Sequence, residues 1–312
     1  MTTTRRRFFA ALLSIMLLLL GLGGIGPALA QGLDPMSVEA TVFPGESTTV
    51  NKTIHTPEFP PLPDIMFLSD TTGSMGGAIA NVQTNATTIM NTVLAAQPTA
   101  QFGGAHYRDE GGAPLFAVDQ QITANTTDVQ NAINTWAAGG GGDTPEGQIN
   151  ALWQLAQPGT AGFRPDPATS IIVWFGDASG HDPSNGHTMA DAIAALQAAE
   201  ITVLAINVDS GGADGLDNTG QATAITGATG GTFFGSATPD EVSNAILALL
   251  SNLPVEVSMQ STCVDPISTT FAPASQTVTS GEDAAFVETI SVAAGAAGGD
   301  STCRDVALLN GE

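Results

Sequence analysis

Between residues 61 and 253, short continuous apolar runs alternate with segments of helical periodicity, and few folds accommodate that rhythm. Ile65-Met66-Phe67-Leu68 has no polar position to turn towards water, as expected of a strand covered on both faces. After it, Ile79, Val82, Ala86, Ile89 and Val93 recur at steps of three and four, an amphipathic helix pattern. Ile171-Ile172-Val173-Trp174-Phe175 repeats the buried-strand signal. Residues 190–200 then read as a helix, 201–208 as a strand, and Thr232-Phe233-Phe234 as a short strand. A closing helix is predicted over 239–253, capped by Thr238, with Val242, Ile246 and Leu249 on one face. The alternation predicts an α/β fold: a doubly wound, mostly parallel Rossmann-like sheet with helices on both sides.

The flanks, 31–60 and 254–312, read instead as strands and turns. Residues 36–56 alternate, are rich in Val and Thr, and carry a Pro44-Gly45-Glu46 turn signal. The stretch from Gly45 to Ile54 echoes that from Gly281 to Ile290, sharing Gly-Glu, an apolar position and Thr-Ile at the same spacing. Two arrangements are open. The flanks form one small all-β sandwich with the α/β domain inserted between them, or a stray hairpin precedes a separate C-terminal domain. The first accounts for the shortage of strands in either flank, and insertion is sterically easy when a domain's ends lie close together. The only two cysteines, Cys263 and Cys303, both fall in the second flank and are expected to form a disulfide in an oxidising compartment.

That compartment is suggested by residues 1–30, which read as a signal peptide. Arg5-Arg6-Arg7 precede an apolar stretch over 8–22, and Ala28-Leu29-Ala30 offers a small-x-small cleavage site before Gln31. The export route, twin-arginine or general secretory, is open. The mature chain is expected to be secreted or at the cell surface, with no membrane span, since no later stretch is long and apolar enough. Charge narrows the partners. The chain has 30 acidic residues against 7 basic ones, three of them Arg5, Arg6 and Arg7, and a formal net charge of −23. Such a surface repels phosphate backbones, so no nucleic-acid partner is expected. Divalent cations suit it.

The chemistry concentrates where the predicted strands end. In Asp70-Thr71-Thr72-Gly73-Ser74 an acid closes a buried strand, and hydroxyls follow at the second and fourth positions. Ligands gather at the carboxyl ends of strands in such sheets. Asp70, Thr72 and Ser74 therefore offer a hard-oxygen set suited to Mg²⁺, Mn²⁺ or Ca²⁺, unless the segment is merely a turn capping the next helix. A second buried strand also ends in an acid, Asp177. Between them Gly139-Gly140-Gly141-Gly142-Asp143-Thr144-Pro145-Glu146-Gly147 carries three further oxygen ligands.

This constellation resembles a von Willebrand factor type A domain, whose metal-ion-dependent adhesion site uses Asp-x-Ser/Thr-x-Ser, then Thr, then Asp. The resemblance covers residues 61–253 and implies metal ligation by Asp70, Thr72, Ser74, Thr144 and Asp177. Asp143-Thr144-Pro145-Glu146-Gly147 further resembles the Asp-x-Pro-Glu-Gly loop of integrin β-subunits, which adds Glu146 as a ligand. Gln101 to Asp109 resembles the second strand of that branch. On that likeness, Asp109, Asp143, the Pro145 carbonyl and Glu146 form a second, Ca²⁺ site beside a central Mg²⁺ or Mn²⁺; Asp109 and Asp143 as a solvated acid and a loop cap is the alternative. Gly76, Gly77 and Ala78 stand where integrin β chains have an acidic pair, Gly141 stands in place of an Asn ligand, and Thr144 follows the general form of the domain. The split sandwich resembles the integrin hybrid domain.

The function expected is divalent-cation-dependent adhesion: an exported, non-enzymatic protein whose ion accepts an Asp or Glu side chain from a protein ligand. Two rivals stand beside it. One is a structural module of a surface or pilus-like assembly, with the metal stabilising the fold; the other is a metal-dependent hydrolase. His181, Asp182 and His187 follow Asp177 in a loop and are expected to be solvated rather than a zinc site. No His-Glu-x-x-His and no Gly-x-Ser-x-Gly occurs.

Overall fold

The structure, a computed structural model, describes residues 32–311. The expected signal peptide, 1–30, lies outside the described residues. The α/β unit comprises, in chain order, β3 (Pro63–Asp70), α1 (Gly76–Ala96), β4 (Gln101–Tyr107), β5 (Phe116–Thr123), α2 (Thr126–Ile133), α3 (Gln148–Leu155), β6 (Thr169–Gly176), α4 (Met189–Ala198), β7 (Ile201–Val208), α5 (Gln221–Ala228), β8 (Phe233–Ala237) and α6 (Val242–Leu250). It is preceded by β1 (Leu33–Asp34) and β2 (Ser47–His55). It is followed by β9 (Pro254–Cys263), β10 (Ile267–Ala272), β11 (Ser275–Thr279), β12 (Asp283–Val292) and β13 (Cys303–Leu309).

The central sheet has the order β5-β4-β3-β6-β7-β8. All pairs are parallel except β4–β5, which is antiparallel and closes one edge. All eight residues of β3 are buried, because alternate side chains feed two separate layers. Ile65 and Phe67 pack with α1, α2 and α6, while Met66 and Leu68 pack with α3, α4 and α5. β6 divides likewise, Ile171, Val173 and Phe175 to one side and Ile172 and Trp174 to the other. The expected stripe of α1, from Ile79 to Val93, is the face that is buried. A 3-10 turn over Pro239–Glu241 precedes α6, and Thr238 caps it in a capping box with Glu241.

The flanking strands form two antiparallel sheets, β1-β2-β12-β10 and β11-β9-β13. They share one core of Ile54, Val255, Val257, Met259, Ala284, Phe286, Ala307 and Leu309, which makes a sandwich. The two echoing segments are neighbours: β2 pairs with β12 from Asp283 opposite His55 to Ser291 opposite Ser47. Both connections to the α/β unit meet one turn of this sandwich. Gly281 N donates to Pro57 O at 2.8 Å, and Ser280 N to Leu253 O at 2.8 Å. Cys263 and Cys303 stand opposite each other on β9 and β13 and are disulfide-bonded.

One expectation needs correcting. The alternating residues 36–43 form no strand, and Met36, Val38 and Phe43 are exposed. The edge of β2 is taken by the two residues of β1, so Thr41-Val42-Phe43 has β-prone composition but no partner.

Candidate metal centre

The carboxyl edge of the central sheet is built by four loops stitched through their backbones. Thr71 N donates to Tyr107 O at 3.0 Å, and Gly139 N to Thr71 O at 3.0 Å. Gly73 N donates to Gly140 O at 3.1 Å, and Glu146 N to Ser179 O at 2.8 Å. Two glycines make room. A Cβ on Gly176 would stand 2.5 Å from the Tyr107 hydroxyl and 3.3 Å from Asp70 Cβ, so only glycine lets β6 lie this close to the end of β3. Gly141 has φ +82°, and its Cβ would lie 3.3 Å from both Glu146 Oε1 and Thr72 Cβ. The glycine-rich loop thereby folds back with Glu146 beside Thr72.

Asp70, Thr72, Glu146 and Asp177 are all buried, and each retains an unsatisfied oxygen. Asp70 Oδ1 accepts from Thr72 N at 2.7 Å, while its Oδ2 has no partner. Thr72 Oγ1, Glu146 Oε2 and Asp177 Oδ1 are also unpaired. Asp177 Oδ2 accepts from Ser210 Oγ at 2.5 Å, which fixes the carboxylate and leaves the other oxygen free. Buried polar atoms normally find partners, so four unpartnered oxygens on three loops at one edge are a donor set that fits a cation. The electrostatics agree. Burial, and then the charges of Asp177 and Asp109, push the Asp70 carboxyl up to about 7 despite the backbone N–H of Thr72. Burial, then Asp70 and Asp109, push Glu146 up to about 9. A divalent cation among these oxygens would remove both penalties, and an all-oxygen donor set suits Mg²⁺ or Mn²⁺. Ser74 and Thr144, the remaining expected ligands, are exposed.

Beside this group lies a second one. Among the described residues, Asp109, Asp143 and His181 place one ligating atom each within 4.8 Å of one another. Asp109 Oδ1 is 3.1 Å from His181 Nε2, and its Oδ2 accepts from Gly142 N at 3.1 Å. Glu146, expected here with Pro145, is not among the three. His181 was expected to be a solvated loop residue; instead the short bridge between Glu146 and Gly180 carries it to Asp109. An imidazole fits Mn²⁺ or Zn²⁺ better than the Ca²⁺ expected of an oxygen-only site. His187 stacks on Trp153, ring centroids 3.6 Å apart, and is not one of the three. Ser210 is the contributor that sequence spacing did not reveal, since it follows no motif.

Comparison with known proteins gives the same frame. The von Willebrand factor A domain family matches residues 64–224, more than half of the 312-residue chain. No curated protein matches it. Among solved structures, the crystal structure of the SpRpn10 VWA domain aligns over 59% of this chain and 93% of its own, at 13% identity and a TM-score of 0.43. With the family matched across the strands and loops that build this edge, the chain belongs to the von Willebrand factor A domain family.

Proposed function

We propose that this edge is a divalent-cation site through which an exported protein binds an acidic side chain of a protein partner. Family membership supports interaction with proteins in general. The observation that carries the finer reading is the set of four unpaired buried oxygens on Asp70, Thr72, Glu146 and Asp177. Those residues would hold the ion, with Ser74 and Thr144 at the exposed rim. A bound Mg²⁺ or Mn²⁺ would supply residual positive charge able to accept a carboxylate. Ser210 keeps Asp177 oriented. The acidic surface around the edge would disfavour anionic partners everywhere else, which makes the encounter dependent on salt.

Calorimetry tests this. Mn²⁺ titrated into metal-stripped protein should give a binding heat, and peptides bearing Asp or Glu should then bind until chelator is added. Their Asn and Gln counterparts should not bind. Mn²⁺ binding without any carboxylate selectivity would favour the rival in which the ion only supports the fold of a structural module.

A further inference from the structure

The sandwich interior holds one group that breaks its apolar pattern. The inward positions of β2 include Lys52 and Ile54, those of β12 are Ala284, Phe286 and Glu288, and β13 turns Asp305, Ala307 and Leu309 to the same interior. Lys52 is the only lysine of the chain, and it is 4% exposed. Its Nζ lies 3.0 Å from Asp305 Oδ2 and 3.4 Å from Oε2 of Glu288, which is 2% exposed. Lys52 stands opposite Phe286, so Lys52 and Glu288 share the inner face of one sheet, while Asp305 reaches in from the other. Asp305 Oδ1 is buried without a partner.

As a salt bridge this is a poor use of the interior. Desolvating three ionisable groups consumes most of their attraction, and apolar residues would hold two sheets together as well. As a reacting group it is well made. An amine and a carboxyl are held in contact in the sandwich interior, with a second carboxyl touching the amine, and such fixed proximity replaces a very high concentration of reactant. We propose that Lys52 and Asp305 condense in the folded sandwich to an isopeptide bond, with Glu288 as the catalytic residue that relays the proton.

The step balances without any outside reagent. A proton passes from the Lys52 ammonium to the Asp305 carboxylate, leaving a neutral amine and a protonated Asp305 beside the acid form of Glu288. The amine nitrogen attacks Asp305 Cγ, a C–N bond forms, one C–O bond breaks, and the oxygen leaves as water. Glu288 gives its proton to the departing oxygen and recovers one from the nitrogen, so it ends as it began. Burial, and then the Asp305 charge, hold the Glu288 carboxyl above its ordinary range, which favours the acid form the step starts from. The link would join positions 253 residues apart and across the two sheets. The whole α/β domain lies inside that loop. Tension applied to the chain outside it would cross the sandwich through covalent bonds and bypass the metal-binding domain.

Intact mass of the purified full chain, denatured and with its disulfide reduced, decides the matter. The wild type should be lighter than its processed sequence by one water, and proteolysis should yield a branched peptide carrying Lys52 and Asp305. It should also migrate faster than an unlinked chain on a reducing denaturing gel. Glu288→Gln and Lys52→Arg should both restore the full mass. A folded wild type at full mass would overturn the bond, whether or not the variants fold. A Glu288→Gln protein that still lacks the water would overturn the role of Glu288.

Discussion

Asp64 and Asp70 lie at opposite ends of one strand, β3, and neither has any exposed surface. At the amino end the chain answers the charge itself. Arg164 donates its backbone N–H to Asp64 Oδ2 and its Nε to Oδ1, both at 2.7 Å. At the carboxyl end Asp70 receives one backbone N–H and keeps a bare oxygen, with further carboxylates as neighbours. The nearest arginine, Arg108, spends its Nε on Thr71 Oγ1 and reaches Ala137 O with its outer nitrogen. A buried carboxylate needs a cation. The difference separates a buried charge that the protein pairs itself from one that, on the proposed function, a cation would pair.

Crossed substitutions at the two ends should break the symmetry most sharply. Asp70→Ala should abolish Mn²⁺ binding at the central site, measured by calorimetry, while leaving the circular dichroism spectrum unchanged. Arg164→Leu should do the reverse: Mn²⁺ affinity retained, and stability to denaturant reduced by about 3–5 kcal/mol, the cost of leaving a buried charge unpaired. Unchanged Mn²⁺ affinity in Asp70→Ala would place the ion elsewhere.

Within the metal edge a smaller effect ranks the ligands. Glu146 is buried with an unpaired oxygen, whereas Thr144 is exposed. Glu146→Gln should therefore weaken Mn²⁺ binding more than Thr144→Val, since removing a charge costs more than removing a neutral oxygen. The opposite order would align this site with the general form of the domain rather than with the integrin-like one.

A further effect is on pH dependence. In metal-free protein the folded state should keep protons on Asp70 and Glu146 that the unfolded chain has already released. Stability should fall as pH rises from the ordinary carboxylate range, 3.8 and 4.5, through about 7 for Asp70 and about 9 for Glu146. Thermal melting of metal-stripped protein between these limits should show that decline. Saturating Mg²⁺ should flatten it, because an ion would hold both carboxylates ionised; an identical slope with and without Mg²⁺ would separate the ion from these two residues.

The parts of the molecule that were legible in the sequence are those governed by local periodicity. β3, β6 and β7 announce themselves as unbroken apolar runs, and α1 as a stripe. β5 does not, because an antiparallel edge strand is only partly buried and Phe-Ala-Val-Asp-Gln-Gln-Ile-Thr carries no clear period. α2 and α3, at eight residues each, are too short for a stripe to stand out. Residues 36–43 failed in the other sense: β-prone residues without a neighbouring strand stay irregular. The Gly45 and Gly281 echo succeeded because two similar strands can pair, and β2 and β12 do.

By itself, then, the sequence determined that acids would stand at the ends of buried strands and that hydroxyls and glycines would surround them. Periodicity and spacing are properties of neighbours in the chain. Which charges are answered and which are not was decided only by the tertiary structure, because the partners come from far away. Arg164 meets Asp64 across 100 residues, His181 meets Asp109 across 72, and Lys52 meets Asp305 across 253. Spacing along the chain carries no record of such meetings; packing brings them about, and by excluding water it makes each one matter.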